Sequence, residues 1–431
     1  MKVLLVGGGG REHALAWGLS RSPGVERLVA APGNPGIAQI AECVPVPADD
    51  VGGLSELAAR EDLDLVVVGP EAPLVAGLAD RLRDLGIATF GPDAAAAHVE
   101  GSKTWAKSLM EAGGIPTARS GTFTDLDAAV AFVDDLGGRA VVKADGLAAG
   151  KGVTVALDRE SAVGALRDCL QEAVFGDAGA TVLVEEVLVG AEVSAFSLCD
   201  GHTVLPLTLS QDFKRVGAGD TGPNTGGMGA YSPLPSVDAT TEAAIWDVAE
   251  RTVQTMASQG VIYRGLLYTG LMLTADGPKV LEYNCRFGDP ETEAVIPRLG
   301  SDLAELLNAC ATGSLQDMKV NWVPDAAVTV VLASGGYPGA YETGFPIEGL
   351  EAAAEVQGAV VFHAGTAERD GRVVSAGGRV LAVSALGATI AQARDRAYEA
   401  CSRISFDGMT YRRDVAARAA LEEEAAHEEG R

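Results

Sequence analysis

Short apolar segments alternate with helix-like segments over the first hundred residues, and this alternation constrains the fold more than any other feature of the chain. Val3–Val6 predicts a buried strand, Gly7–Gly10 a turn and Arg11–Leu19 a helix. The alternation continues with predicted strands at 29–30, 65–69 and 88–90 and predicted helices at 51–60 and 75–85. It is typical of a doubly wound parallel sheet, in which ligands gather at the carboxyl ends of the strands.

The glycine turn after the first strand could belong to a dinucleotide-binding motif, which would make the chain an NAD-dependent oxidoreductase. With Gly7 and Gly9 as the first two glycines of that motif, the third position is Glu12. A glutamate would crowd the pyrophosphate at a position where glycine or alanine is needed. We therefore disfavour the oxidoreductase interpretation.

A second signal is the glycine-rich loop between the predicted strands Ala140–Lys143 and Val153–Ala156. Lys143 and Lys151 flank its glycines. The backbone amides of such a loop can approach phosphate oxygens closely, and the lysines add positive charge. It is not a Walker A loop, because no Gly-Lys-Ser/Thr opens a helix. The alternative is a glycine-rich hairpin with two surface lysines.

A third signal is the segment Leu281–Glu291, which begins as the end of a predicted buried strand. Residues two apart on a strand point to the same face, so Glu282, Asn284 and Arg286 are expected to form one row. Two oxygen ligands beside a fixed cation suit a magnesium ion that carries phosphates, with an anionic substrate close by. The alternative is an exposed Glu–Arg salt bridge on an edge strand.

The 431 residues are too many for one simple core. The order of the segments predicts an α/β and α+β multidomain protein, in which the polar segment Ser210–Tyr231 is a loop. We expect an N-terminal doubly wound parallel sheet over 1–103, a central domain over 104–325 with a small antiparallel lid over about 120–192, a C-terminal α+β domain over 326–425, and a charged tail over 426–431.

Composition excludes several classes of partner. The net charge of −26 argues against binding to a nucleic-acid backbone, and we attribute it to solubility or a high-salt adaptation. No apolar stretch is long enough to cross a bilayer, and the short apolar start predicts a strand rather than a signal peptide. The six cysteines are scattered, as is typical of reduced thiols. We expect a cytoplasmic protein with small-molecule substrates, no nucleic acid and no membrane partner.

Three elements in order resemble those of the ATP-grasp ligases: Lys143 with its loop, Val184-Glu185-Glu186 followed by Glu192, and Leu281–Asn284. More narrowly, the chain resembles the phosphoribosylamine–glycine ligase family over nearly its whole length, which implies an ATP-grasp core in the central domain. The segments that carry this resemblance are Gly9–Ala14, Gly69–Leu74, Lys143–Gly152, Gly222–Tyr231 and Asn284–Glu291.

The resemblance implies roles for residues of this chain. The ATP phosphates would be contacted by Lys103, Lys143, Gly146, Gly150, Lys151 and Gly152. Adenine and ribose would be held by Glu185, Glu186, Val187 and Glu192, and the metal, Mg²⁺ or Mn²⁺, by Glu282 and Asn284. The catalytic residues would be Arg286, Asp289, Asp212 and Lys214. The remaining substrate contacts would come from Gly10, Arg11, Glu12, Asn34, Glu71 and Asn224.

The implied reaction joins glycine to 5-phosphoribosylamine with ATP, through glycyl phosphate, in purine synthesis. Phe213 stands where many family members have His, so we expect no catalytic role there, and we expect His13 to be structural. A different ATP-grasp ligase should differ in Arg286–Glu291 and 223–231, and a nucleotide sensor should lack a lysine or a metal ligand. We expect a monomer, with a weak homodimer as the alternative.

Overall fold

The structure is a computed structural model that describes residues 1–146, 152–172, 174 and 176–429. Gly150 and Lys151, predicted to contact phosphates, lie outside the described residues. The described strands form three larger sheets and two two-stranded hairpins. The predicted multidomain α/β and α+β fold is confirmed.

The predicted doubly wound sheet is present at the start of the chain. Its strands pair in parallel in the order β3-β2-β1-β4-β5. Because the order reverses between β1 and β4, the loops after these two strands open onto a crevice. The elements of this part are β1 (Lys2–Gly7), α1 (Gly10–Ser20), β2 (Arg27–Pro32), β3 (Glu42–Cys43), α2 (Val51–Arg60), β4 (Leu65–Val68), α3 (Glu71–Val75), α4 (Leu78–Asp84), β5 (Ala88–Phe90), α5 (Ala94–Gly101) and α6 (Lys103–Ala112).

One helix of this part differs from the sequence-based expectation. The segment 75–85 was expected to form a single helix, but α3 ends at Val75 and α4 begins at Leu78. Gly77 lies between them with a φ of +84°, in the left-handed region that interrupts a right-handed helix. Glu71 is the first residue of α3 and follows β4, the strand that pairs with β1, so it lies at the crevice end of the sheet.

The lid is a separate four-stranded antiparallel sheet in the order β6-β9-β7-β8, with two helices on it. Val142, Leu166 and Val184 belong to its own apolar core. Successive strand residues point to opposite faces, so Ala140, Val142 and Ala144 of one strand and Val182 and Val184 of its neighbour pack together against these helices. The elements are β6 (Ser120–Phe123), α7 (Leu126–Asp135), β7 (Ala140–Ala144), β8 (Val153–Ala156), α8 (Arg159–Leu170) and β9 (Val182–Glu185).

The largest sheet runs through both the central and the C-terminal part of the chain. Its order is β16-β15-β10-β11-β14-β17-β21-β18, and β14 pairs with β17 from Gly229↔Val330 to Ser232↔Ala327. The sheet therefore continues across residue 325, and the four domain ranges stay a prediction. Its strands are β10 (Ala191–Asp200), β11 (Val204–Asp212), β14 (Gly229–Ser232), β15 (Arg264–Thr274), β16 (Gly277–Asn284), β17 (Ala326–Ala333), β18 (Ala359–His363) and β21 (Arg379–Gly387).

Two hairpins, six α-helices and four short 3₁₀-helices complete the described elements. The 3₁₀-helices are Ile37–Gln39, Gly176–Gly179, Ile296–Arg298 and Leu315–Asp317. The hairpins are β12 (Arg215–Gly217) with β13 (Thr221–Asn224), and β19 (Thr366–Arg369) with β20 (Arg372–Ser375). The first hairpin lies within the segment that was expected to be a loop. The helices are α9 (Ala239–Ser258), α10 (Glu291–Val295), α11 (Leu303–Thr312), α12 (Leu350–Ala354), α13 (Ile390–Arg403) and α14 (Ala417–Glu429), the last of which extends into the predicted tail.

Part of the acidity has a structural use at helix N-termini. Six helices begin after an aspartate whose carboxylate accepts a hydrogen bond from a backbone N–H three residues on. Such a cap satisfies a donor that the helix itself leaves unpaired, and the negative charge suits the positive end of the helix dipole. The capping residues are Asp50, Asp93, Asp125, Asp158, Asp238 and Asp302.

Candidate active site

The predicted metal ligands lie at the end of β16. Glu282 pairs with Gly270 and Asn284 with Tyr268 of β15, and both ligands are half-buried on the same face. Within the part of the chain that the structure describes, the side-chain amide of Asn284 makes no hydrogen bond, and no group of three or more His, Cys, Asp or Glu side chains forms a metal site. One carboxylate and one amide oxygen suit Mg²⁺, which takes its other ligands from water and phosphates.

Lysines surround Glu282 and make this end of β16 suitable for phosphates. The Lys214 ammonium lies 3.5 Å from Glu282 Oε1 and 3.4 Å from Glu192 Oε2. We call Glu192, Lys214 and Glu282 the hairpin cluster. Lys214 is the main reason that the pKa of Glu282 is lowered, with further contributions from Lys143 and Lys103 that together outweigh burial. Glu282 is therefore a carboxylate at neutral pH, as a metal ligand must be.

Lys143 is held by a buried carboxylate. Its Nζ lies 2.6 Å from Glu185 Oε2 and donates to Leu281 O over 2.8 Å, and Lys107 Nζ lies 2.6 Å from Glu185 Oε1. Burial would raise the pKa of Glu185, but Lys143 and Lys107 lower it below its ordinary value. We call Lys107, Lys143 and Glu185 the lid-sheet cluster. The side chain of Glu185 contacts these two lysines, and the role in holding adenine or ribose that was expected for Glu185 stays a prediction.

The end of β7 is tied to the start of α6. Lys103 Nζ donates to Gly146 O over 2.8 Å, and burial lowers the pKa of Lys103. The Asp145 carboxylate accepts from Thr104 Oγ1 over 2.7 Å and from Ser102 Oγ over 3.2 Å. Lys103 and Gly146, both predicted phosphate contacts, are thereby brought together, and Gly152 lies at the other end of the same loop.

The predicted adenine edge follows β9 without regular structure. Glu186 exchanges two hydrogen bonds with Arg119: its N–H donates to Arg119 O over 2.9 Å, and its Oε1 accepts from Arg119 N over 3.0 Å. Val187 comes next and is half-buried. Glu192 is at the start of β10, where 42% of its side chain is exposed. The adenine and ribose roles of these residues stay predictions.

Asp212 and Lys214 lie at the end of β11, beside β10 and β15. They line one cleft together with Glu192, Ser194 and Tyr268. Burial raises the pKa of Asp212 to about 8, although the Lys214 ammonium acts in the opposite direction. Although burial would lower the pKa of Lys214, Asp212 and Glu282 raise it well above its ordinary value. At neutral pH the cleft therefore holds a fixed cation, Lys214, beside the Glu282 carboxylate and a mainly protonated Asp212.

Arg286 lies just beyond β16, so it does not continue the row of strand residues that the sequence predicted. Its Nε lies 3.2 Å from Glu71 Oε2 and its Nη2 lies 3.0 Å from Glu100 Oε1. Burial would lower the pKa of Arg286, but Glu100 and Glu71 raise it. Nothing in the sequence pattern singled out Glu100, a buried carboxylate that also accepts from Cys285 N over 2.7 Å.

The glycine turn after β1 forms the start of α1 in the crevice. Gly9 N–H donates to Glu12 Oε2 over 2.6 Å, and Glu12 Oε1 lies 2.6 Å from Arg11 Nε. Arg11 Nη1 also donates to Phe287 O over 3.2 Å. A Cβ at Gly10 would lie 2.4 Å from a Glu293 oxygen, so a larger residue there would require the Glu293 side chain to move. Arg11 and Glu12, both predicted substrate contacts, thus make protein contacts beside Glu71 and Arg286.

The side chain of Asn34 is fully engaged with protein. Its Nδ2 donates to Gly8 O over 2.9 Å and to His363 O over 2.8 Å, and its Oδ1 accepts from Gly36 N and Ile37 N, both over 2.9 Å. These four contacts use the full hydrogen-bonding capacity of an amide. They make Asn34 an anchor between the turn after β2 and β18, and its predicted substrate contact stays untested.

Asp289 is paired with an arginine from the C-terminal part of the chain. Arg379 Nη1 lies 3.0 Å from Asp289 Oδ1, and it donates to Asp289 O over 2.8 Å and to Gly226 O over 2.6 Å. Asn224, the end of β13, is half-buried two residues before Gly226. Arg379 lies 90 residues after Asp289 in the sequence, and no sequence motif predicted its role.

His13 is structural, as the sequence analysis expected. Its Nδ1 accepts a hydrogen bond from the His363 N–H over 2.8 Å, which joins α1 to β18. Burial, and then the nearby His363, lower the pKa of His13 to about 3. The ring is therefore neutral at ordinary pH and cannot serve as a proton donor there.

Family models for phosphoribosylglycinamide synthetase match the chain in three consecutive parts: the N domain over residues 1–100, the ATP-grasp (A) domain over 101–292 and the C domain over 327–418. A protein of Rhizobium meliloti (strain 1021) called phosphoribosylamine–glycine ligase is 52% identical over 427 residues, which cover 99% of this chain and 100% of the relative. The chain belongs to the phosphoribosylamine–glycine ligase family. It is therefore a ligase with an ATP-grasp domain.

Other members of the phosphoribosylamine–glycine ligase family are also similar to this chain over nearly its whole length. The protein of that name from Vibrio parahaemolyticus is 49% identical, with 98% of this chain and 100% of the relative covered. The crystal structure of the Thermotoga maritima phosphoribosylamine–glycine ligase is similar with a TM-score of 0.84 and 34% identity, covering 96% of this chain and all of that one. The biotin carboxylase domain of a Hydrogenobacter thermophilus carboxylase has a TM-score of 0.73 at 17% identity, a likeness of fold alone.

Of the helices that the structure describes, none is both long and apolar enough to span a bilayer. All six cysteines lie in described parts of the chain and are unpaired, and five of them are buried.

Proposed function

We propose that this ligase joins glycine to 5-phosphoribosylamine and converts ATP to ADP and phosphate, in purine biosynthesis. The observation that carries the proposal is the 52% identity to a phosphoribosylamine–glycine ligase over 99% of the chain. The lysines around Glu282 support it, because they suit the phosphates of ATP. The product is glycinamide ribonucleotide, in which an amide joins the glycyl group to the sugar amine.

The first step activates the carboxylate of glycine, which is a poor electrophile. A glycine oxygen attacks the γ-phosphorus of ATP, forming glycyl phosphate and releasing ADP. Lys143 and Lys103 neutralise charge on the phosphates, and Lys143 is held in position by Glu185 and Leu281 O. In phosphoryl transfer, positioning and charge neutralisation supply most of the rate.

In the second step the amine of phosphoribosylamine attacks the acyl carbon, the bond from carbon to the bridging oxygen breaks, and phosphate leaves. Arg286 and Asp289 help to place the acyl group, together with Asp212 and Lys214. Arg286 is held by Glu71 and Glu100 and Asp289 by Arg379, so neither side chain needs to reorganise. Preorganised charges of this kind are the main source of stabilisation in such reactions.

Glu282 and Asn284 would hold Mg²⁺ or Mn²⁺. When bound, the metal neutralises negative charge on the β- and γ-phosphates. The fit rests on the lowered pKa of Glu282, on an Asn284 amide without a partner among the described residues, and on the half-buried position of both at the end of β16.

The sugar phosphate would bind at the glycine turn after β1. The N-terminus of α1 offers backbone N–H groups and a positive dipole, and Arg11 adds a cation. The lid sheet would close over the acyl phosphate and exclude water. We further propose that the enzyme works in the cytoplasm as a monomer, with small molecules as its partners.

Phosphate release by the purified chain tests the proposal. Release should require ATP, glycine, phosphoribosylamine and Mg²⁺ or Mn²⁺ together, and omission of any one should reduce it to the background rate. Release that continues without glycine, or that responds to another carboxylate instead, would overturn the substrate assignment. Comparing the two metals in the same assay identifies the more effective one.

A further inference from the structure

The hairpin β12–β13 carries Lys214 at its base. Lys214 directly precedes β12, and Thr225, directly after β13, donates to Lys214 O from its backbone N–H over 2.7 Å and from its Oγ1 over 2.8 Å. The two ends of the hairpin are thereby joined at Lys214. Whatever holds the hairpin therefore also holds the backbone from which the Lys214 ammonium reaches Glu192 and Glu282.

Arg412, from the C-terminal part of the chain, contacts this hairpin at both ends. Only 1% of its side chain is exposed. Its Nη1 donates to Arg215 O over 3.1 Å, at the base, and to Asp220 Oδ1 over 2.8 Å, at the tip. Its guanidinium carbon also lies 4.9 Å from the centre of the Phe213 ring, which immediately precedes Lys214. This distance is within the range of a cation–π contact.

Asp414 fixes the orientation of the guanidinium. Its carboxylate accepts from Arg412 Nε over 2.9 Å and from Arg412 Nη2 over 2.7 Å, a two-point contact that sets the plane of the guanidinium. Asp414 Oδ2 also accepts from the Gly219 N–H over 2.8 Å, at the hairpin tip. Both side chains of the pair therefore contact the hairpin.

The segment that carries Arg412 and Asp414 is itself anchored on α13. Tyr398 OH donates to Arg412 O over 2.9 Å and accepts from Val415 N over 3.1 Å. A continuous set of contacts thus leads from α13 through Arg412 to the hairpin and Lys214. The tip also needs support, because Asp220 has a φ of +54°, which is uncommon for a residue other than glycine.

We propose that Arg412 is a positioning residue for the ligase reaction. It holds the hairpin so that Lys214 stays among the carboxylates of the cleft, and the C-terminal part of the chain thereby controls the acyl-substrate end of the site. A fully buried charge is costly unless it is paired, and the side-chain partners of Arg412 are Asp220 and Asp414. The proposal rests on the role proposed for Lys214.

Hydrogen exchange of the full chain tests the contact without any substrate. Arg412→Met should speed exchange of the amides of 215–224 by about tenfold or more, because the hairpin loses its anchor. The matched control is Arg298→Met. Arg298 is also a buried arginine beside an aromatic ring, with Nη1 donating to Ser232 Oγ over 2.7 Å and its guanidinium carbon 5.5 Å from the Trp322 ring centre. Unchanged exchange in Arg412→Met, or equal acceleration in Arg298→Met, would overturn the proposal.

Kinetics then test whether the hairpin acts through Lys214. Arg412→Met should lower kcat/KM for glycine about tenfold with little change in the affinity for an ATP analogue, whereas Arg298→Met should leave both nearly unchanged. When Arg412→Met is added to Lys214→Met, kcat/KM for glycine should fall by less than about a further threefold, because both substitutions act through the Lys214 ammonium. A double variant whose loss of kcat/KM equals the product of the two single losses would contradict the proposal.

A conservative variant, Arg412→Lys, provides a third test of the contact. Arg412→Lys retains the charge but loses the two-point contact with Asp414, so it should lie between the wild type and Arg412→Met in both measurements; wild-type behaviour in both would contradict the proposal. It replaces Arg412→Met if that variant does not fold.

A wild-type chain that does not use glycine would overturn the proposed function alone, because hydrogen exchange would still report whether Arg412 holds the hairpin.

Discussion

The lid-sheet cluster and the hairpin cluster both combine lysine with glutamate, but they hold the charges differently. In the lid-sheet cluster each lysine lies 2.6 Å from Glu185, and no side chain is more than 7% exposed. In the hairpin cluster the ammonium of Lys214 lies 3.4 and 3.5 Å from its carboxylates, and all three side chains are about a third or more exposed. The first arrangement is complete without a ligand, whereas the second leaves its cation accessible to one.

This difference separates Glu185, a buried carboxylate that supports the structure, from Lys214, a partly exposed cation that can serve a ligand. Lys143 belongs to both groups, because it is held by Glu185 and is proposed to contact the ATP phosphates. Removing one member of a buried ion pair leaves a charge without compensation, which is strongly destabilising. Removing one member of an exposed pair changes stability little, because water screens the charges. Substitutions in the lid-sheet cluster should therefore affect folding, and those in the hairpin cluster should affect mainly turnover.

The largest expected effect on turnover comes from Glu282→Ala. The variant loses the only carboxylate among the proposed metal ligands, so activity should fall by about 10³ or more, while the melting temperature should stay close to that of the wild type. Phosphate release and thermal unfolding of the same preparation provide the two readings. Activity that survives the substitution would refute the metal role of Glu282.

Glu185→Ala should have the largest effect on stability. It leaves the ammonium groups of Lys107 and Lys143 buried without a carboxylate, which should cost about 3–5 kcal/mol in the free energy of unfolding. Denaturant unfolding measures this value. The matched control is Glu186→Ala at the next, half-exposed position, with an expected change within about 1 kcal/mol. Equal effects of the two substitutions would remove the distinction between buried and exposed carboxylates.

Lys214→Met should show the opposite behaviour to Glu185→Ala. Activity should fall about 10²-fold, because one charged contact with the reacting groups is lost. The free energy of unfolding should change by about 1 kcal/mol or less. Lys279→Met is the control: that ammonium lies 3.7 Å from Glu186, outside the hairpin cluster, and activity should stay near the wild-type value. A large loss of stability in Lys214→Met would place Lys214 with the structural charges.

The sequence predicted the side chains that lie on one segment better than those that meet across the chain. Glu282 and Asn284 were predicted as ligands because residues two apart on a strand share a face. Lys107, Glu100 and Arg379 were not predicted, since each acts through a contact with a residue at least 78 positions away, such as Lys107 with Glu185.

The N-terminal sheet was predictable for a related reason. Its strands are short apolar runs between helices, and the parallel order follows from that alternation. The hairpin β12–β13 was expected to be a loop, because Arg215–Asn224 has no alternating apolar pattern. Its strands depend instead on contacts with Arg412 and Asp414, about 200 residues further along the chain.

The smallest effect at neutral pH concerns His13, a buried neutral ring rather than a buried charge. Its pKa falls from 6.5 to about 3 on folding, so its contribution to stability is complete above pH 6.5 and is lost as the pH falls towards 3. Between pH 6 and pH 4, His13 makes the free energy of unfolding of the wild type fall by about 1.4 kcal/mol for each pH unit. The variant His13→Gln should lack this part of the fall. Denaturant titrations at several pH values measure it, with the exposed His98→Gln as the control. Equal slopes for wild type and His13→Gln would contradict the burial argument.

The proposed roles of Lys143 and Lys214 both require that the enzyme transfers phosphate from ATP to the carboxylate of glycine. Glycine labelled with ¹⁸O in its carboxylate tests this claim most directly. If a glycine oxygen attacks ATP, that oxygen stays with phosphorus when the amine displaces phosphate, so each molecule of phosphate released should contain one ¹⁸O atom. Phosphate without ¹⁸O, formed while glycinamide ribonucleotide accumulates, would contradict the account.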